Sequence, residues 1–102
     1  MANTEKKSRF LYKLIPPRPT FVQDMTEFER KIMQEHAVYW KGLIVDGIAV
    51  VFGLVLDPLG PWGVGIVDVA NESVARAIGT NDPAVKEGSL TFQVYPMASE
   101  VV

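Results

Sequence analysis

An α+β fold built on a four-stranded antiparallel sheet is predicted by three features of the chain. One long amphipathic segment, residues 24–47, carries apolar residues at helical spacing. Four runs rich in branched and aromatic residues, near 9–15, 48–55, 62–69 and 89–97, read as strands. A short second helix from about Asn71 gives the order strand, helix, two strands, helix, strand, a βαββαβ split unit of the ferredoxin-like type with both helices on one face.

The first strand, RFLYKLI, sets Phe10, Tyr12 and Leu14 on one face and Leu11, Lys13 and Ile15 on the other. The run PPRP at 16–19 lacks ladder donors, so it ends the strand and leads toward the helix. Asp24 is the expected N-cap, with Glu27 three residues on in a capping-box-like pattern. The stripe Met25, Phe28, Ile32, Trp40 and Leu43 is continuous only if His36 belongs to it, and Asp46-Gly47 stops the helix near 45.

In IAVVFGLVL, Ile48, Val50, Phe52 and Leu54 face one way and Ala49, Val51, Gly53 and Val55 the other. Both faces read as buried. DPLGP at 57–61 is turn chemistry that joins this strand to WGVGIVDV as a hairpin. Gly63 and Gly65 share a face and leave space there for a close-packed neighbour or a ligand. Asn71 caps the second helix, which ends before Gly79. Asp82 can cap a further turn with Pro83 in its first position, and the last strand, SLTFQVYPM, alternates Leu90, Phe92 and Val94 against Thr91, Gln93 and Tyr95. With both helices on one face, the other face still receives apolar residues, which implies a partner: a homodimer or higher homo-oligomer.

The 102 residues suit one domain, expected over 9–98, between a polar N-terminal tail at 1–8 and a C-terminal tail at 99–102. Apolar residues at 48% and charged residues at 22% exclude an intrinsically disordered chain. Ten basic against twelve acidic residues leave no electrostatic footprint for nucleic acid or an anionic membrane, so the expected partners are small molecules or protein surfaces. With no cysteine, thiol catalysis, disulfides and Cys-ligated metal are impossible. The first apolar run is broken by Lys13, Pro16 and Pro17 too soon for a signal peptide or a membrane span, which gives a cytoplasmic expectation.

His36, the only histidine, is the natural acid/base group, with a reference pKa of about 6.5 for this residue type. It needs a carboxylate to orient it. Asp24, Asp46, Asp57, Asp68 and Asp82 are all candidates, and spacing does not choose among them, though Asp82 sits in a turn from which a side chain can reach inward. As a plain cap before Pro83 it has an equally good structural role. Tyr12, Tyr39, Trp40 and Trp62 have the composition of an aromatic-walled pocket, and equally of a core. GPWGVG at 60–65 lacks the helix and lysine of a phosphate loop, and no serine stands in a nucleophile elbow, so kinase and hydrolase readings are poor.

The order of elements, a helix histidine followed by Tyr39-Trp40, a strand carrying Phe52-Gly53, and NDPAVKEG at 81–88 before a final strand together resemble the YciI-like (YCII-related) family, over residues 9–97. That family is similar in fold to the dimeric α/β-barrel superfamily, so the resemblance implies two sheets packed face to face. It also implies a catalytic dyad, which by motif match is His36 and Asp82. Tyr12, Trp40, Trp62 and Gly53 are then the expected substrate-binding positions. One activity in the family is dehydrochlorination of a chlorinated hydroxyquinol, which implies elimination chemistry of lyase or isomerase type on a small, aromatic or lactone-like molecule, with no cofactor and no metal. The PPRP connection and FGLVLD, where a glycine-proline pair is common, depart from the family pattern and bear on substrate shape. Two alternatives stand beside this reading: a non-catalytic small-ligand binding or regulatory module, and a haem- or oxygen-using dimeric barrel enzyme.

Overall fold

The computed structural model describes residues 7–98, so residues 1–6 of the expected 1–8 tail and the expected tail at 99–102 lie outside the described residues. Strands β1 (Ser8–Ile15), β2 (Ala49–Val55), β3 (Trp62–Val69) and β4 (Thr91–Pro96) form one antiparallel sheet in the order β2-β3-β1-β4. Four helices accompany it: α1 (Phe21–Asp24), α2 (Glu27–Val45), α3 (Glu72–Asn81) and α4 (Pro83–Lys86). This is the expected ferredoxin-like α+β arrangement. β1 lies inside the sheet, antiparallel to β3 through Ser8↔Val69 to Leu14↔Gly63 and to β4 through Phe10↔Pro96 to Ile15↔Thr91. Its first residue is Ser8, which the expected tail had claimed.

The helices cover one face. Phe10, Tyr12 and Leu14 from β1, Val67 and Val69 from β3 and Val94 from β4 point into them and are buried with Trp40, Ala75 and Ile78. Two close approaches fix the helices on the sheet. A Cβ on Gly65 would lie 2.4 Å from Trp40 Cη2, and one on Gly79 would lie 2.5 Å from Phe92, so absent side chains let α2 and α3 settle against the strands. The space at Gly65 therefore holds a packed indole. Gly79 sits inside α3, which continues to Asn81, so the expected stop before Gly79 is corrected: here glycine serves packing and not capping.

Three further expectations change. The N-cap of α2 is Thr26, not Asp24: Thr26 Oγ1 accepts from Glu29 N at 3.1 Å, and Thr26 N donates to Glu29 Oε1 at 2.9 Å. Asp24 instead ends α1, where Arg18 Nε and Thr20 Oγ1 donate to its carboxylate. Arg18 also grips Glu29, and with the Thr26 N–H it pulls the Glu29 carboxyl down to about 2. As a result the apolar stripe is shorter than drawn: Met25 precedes the helix and Phe28 is 64% exposed. In β2 the pairing shifts between Ala49↔Val67 and Val51↔Ile66, a bulge at Val50 that puts Ala49 and Phe52 on the covered side. β2 is an edge strand, and Val50, Val51 and Leu54 are each about half exposed, so burial of both its faces does not hold in the single chain. The end of α2 is as expected: Gly47 takes φ +74, Ile48 N bonds Leu43 O and Gly47 N bonds Ile44 O, a Schellman closure.

Candidate active site

Among the described residues one charged side chain is fully buried, Asp82, at 0% exposure in the covered layer. It stands at the junction of α3 and α4, where it is the N-cap of α4 and Pro83 fills the first helical position. Asp82 Oδ1 accepts from Ala84 N at 2.9 Å. The carboxylate that caps α4 is also the one that meets His36. Tyr12 Oη donates to Oδ2 at 3.0 Å from β1, Trp40 Nε1 donates to Oδ2 at 2.9 Å from α2, and His36 Nδ1 lies 2.9 Å from both oxygens. His36 and Trp40 converge because residues four apart share a helix face. Four donors match the four lone-pair positions of a carboxylate, and among the described residues no buried polar side-chain atom lacks a partner.

Burial opposes ionisation of Asp82, but the His36, Trp40 and Ala84 hydrogen bonds outweigh it and hold the carboxyl below its ordinary range. Burial, reinforced by the adjacent Asp82 charge, pushes the Tyr12 hydroxyl far up, so Tyr12 stays protonated and acts as a donor. An ionised carboxylate only accepts, hence His36 Nδ1 carries the proton facing it. In the neutral ring Nε2 is then the basic nitrogen. It has no hydrogen-bond partner among the described residues and is not sealed from the surface.

His36 lines a cleft of ≈ 280 Å³ between α1, α2 and the covered edge of β2, walled by Leu14, Phe21, Met25, Met33, Phe52 and Leu90 among others. Gly53 borders it through its backbone. Tyr12 and Trp40 do not. They lie behind the imidazole, around a recess of only ≈ 10 Å³, because their polar ends are turned onto Asp82. Trp62 is on the open face of the sheet, where Lys13 Nζ lies 4.7 Å from its ring centroid and its Nε1 donates to Asp57 at 3.1 Å. Strand alternation separates it from His36, which removes it from this site. The Met25, Met33 and Phe21 walls were not anticipated; the buried aromatic that follows the proline run was the signal for them.

No helix among the described residues is long and apolar enough to cross a membrane, and no cluster of three or more His, Cys, Asp or Glu that could hold a metal ion occurs among them. The family model of the YCII-related domain matches residues 11–98. No curated protein matches the chain.

Proposed function

Since the chain belongs to the YCII-related family, we propose that it is a homodimeric acid/base protein in which His36 moves a proton on a small molecule held in the apolar cleft. The observation that supports this is the contact of His36 Nδ1, at 2.9 Å, with both oxygens of a fully buried Asp82, which leaves Nε2 without a partner among the described residues on a ring that lines the cleft. In this reading Nε2 removes a proton from an acidic C–H or O–H. The imidazolium that forms is stabilised across Nδ1–H by Asp82, and the proton returns to another atom of the substrate or leaves with a departing group. General base catalysis of this kind accelerates by roughly 10²–10⁴-fold. Asp82 touches no substrate; it is a positioning residue, as are Tyr12 and Trp40, whose bonds leave the carboxylate a single orientation.

The open sheet face supports the dimer. It presents Leu11, Val51, Val64 and Ile66 beside Trp62, all partly or half exposed, and a second copy packed there would bury on the order of 800 Å² per subunit. A binding module is the second reading, favoured by one feature: the cleft has no polar side chain besides His36 to stabilise developing charge.

Deuterium wash-in separates the two. Weak carbon acids incubated with the protein in D₂O are expected to exchange, and to stop exchanging in His36→Ala while its circular dichroism is retained. Exchange indifferent to that substitution sinks the catalytic role. In ¹⁵N spectra His36 is expected as the Nδ1–H tautomer, becoming mixed in Asp82→Asn; an unchanged tautomer removes Asp82 from the orienting role.

A further inference from the structure

The cleft beside His36 is uniform in its chemistry. Every other lining side chain is aliphatic, aromatic, thioether or proline, or is the hydrogen of Gly53 or Gly63. None of the cations on the neighbouring segments lines the cleft, and Arg30 on α2 donates to the Met25 carbonyl at 3.3 Å. Arg18 makes two bonds to Asp24 and two to Glu29 with its guanidinium over the Phe21 ring, and Lys13 lies over Trp62 on the opposite face of the sheet. The one buried anion, Asp82, is closed off behind the imidazole with four donors on it and offers nothing more to a ligand.

A charged ligand entering this space would lose its water and meet no compensating group, and such burial costs far more than a single hydrogen bond returns. Size adds a second restriction. An apolar cavity of about 150 Å³ holds benzene, so ≈ 280 Å³ suits a molecule with the bulk of one substituted ring or two fused rings. We infer that the cleft takes an uncharged, largely apolar molecule of that bulk which presents one protonated polar atom to His36 Nε2, and that it rejects carboxylates. This specifies the substrate class of the site proposed above and rests on that assignment of the site. It concerns binding, so it stands or falls separately from proton transfer.

The experiment is a set of titrations at pH 7 followed by the His36 ring signals and by heat, with p-cresol, toluene and 4-hydroxybenzoate as probes of nearly equal width. p-Cresol is expected to saturate one site and perturb Nε2. Toluene should bind roughly two- to tenfold more weakly, the difference made by one net hydrogen bond, and 4-hydroxybenzoate at least about tenfold more weakly than p-cresol because its carboxylate is ionised. In His36→Gln the advantage of p-cresol over toluene should shrink. Val22 is 40% exposed and lines the cleft, so Val22→Arg can place a cation there without opening the core; it should raise the affinity for 4-hydroxybenzoate. Binding of 4-hydroxybenzoate to the native protein as tightly as p-cresol, or no saturable binding of p-cresol or toluene, overturns the inference. Discrimination among the probes without any deuterium exchange would leave it intact and defeat the catalytic reading instead.

Discussion

The covered and open faces of the sheet alternate along the same four strands, yet they treat polar groups in opposite ways. On the covered face, Tyr12 and Val67 are 2% and 1% exposed, and the Tyr12 hydroxyl, Trp40 Nε1 and His36 Nδ1 converge on Asp82. On the open face, Arg9 forks onto Asp68 at 2.8 and 2.9 Å, Lys13 rests on Trp62, and Val51 and Tyr95 remain about half exposed. The first arrangement is rigid because every donor is committed in a low-dielectric setting. The second is loose, with apolar area still in contact with water. The site belongs to the rigid face, whereas the open face is what a second copy would use.

Substitutions on the two faces should therefore differ in size and in kind. Asp82→Ala leaves the buried Tyr12, Trp40 and His36 donors unanswered and removes the cap of α4, so a loss of about 3 kcal/mol or more is expected in urea unfolding; a loss below about 1 kcal/mol would show the network to be slack. The same residue sets an acid limit. Its folded carboxyl lies below the ordinary value, so the stability it contributes is fully present above about pH 4 and fades as the pH falls through the folded value. Stability curves of the native protein and Asp82→Ala should converge as the pH drops below that point, and parallel curves would contradict it. Gly65→Ala drives a methyl into Trp40 and should cost about 1–3 kcal/mol, with a shift in indole fluorescence as the Nε1 bond to Asp82 is disturbed. On the open face, Ile66→Glu should change the unfolding free energy of the isolated chain by about 1 kcal/mol or less while halving the mass seen by light scattering. A native protein that is already monomeric at micromolar concentration would end the dimer proposal. Lys13→Ala is the smallest, about 0.5 kcal/mol for one partly exposed cation over an aromatic ring.

Periodicity carried most of the architecture. The alternation in RFLYKLI separates Tyr12 from Lys13, and Asn71 and Asp82-Pro83 mark helix starts through local chemistry that needs no tertiary context. Features that depend on long-range packing were not visible. The bulge at Val50 has no glycine or proline to announce it, because it arises from the pairing of β2 with β3. Thr26 caps α2 because Asp24 already ends α1, where Arg18 and Thr20 hold its carboxylate. Gly65 needed knowledge of which helix residue would lie opposite, and Trp62 was drawn toward the site by its type although its strand parity places it elsewhere. His36 was legible as a titratable interruption of a stripe. Its contact with Asp82 followed from the motif resemblance and not from spacing, which left five aspartates open.

Asp82 also joins the two halves of the split unit. Its donors Tyr12, His36 and Trp40 come from the β1-α2-β2 half, 42 to 70 residues away in sequence, while its own turn and Ala84 belong to the β3-α3-β4 half. Bonds of such span form only when the halves dock, after local helices and the central hairpin have closed. The His36–Asp82 pair should then be among the last contacts made in folding and the first released. Weakening it by Asp82→Asn should raise the unfolding limb of a chevron and leave the folding limb nearly unmoved.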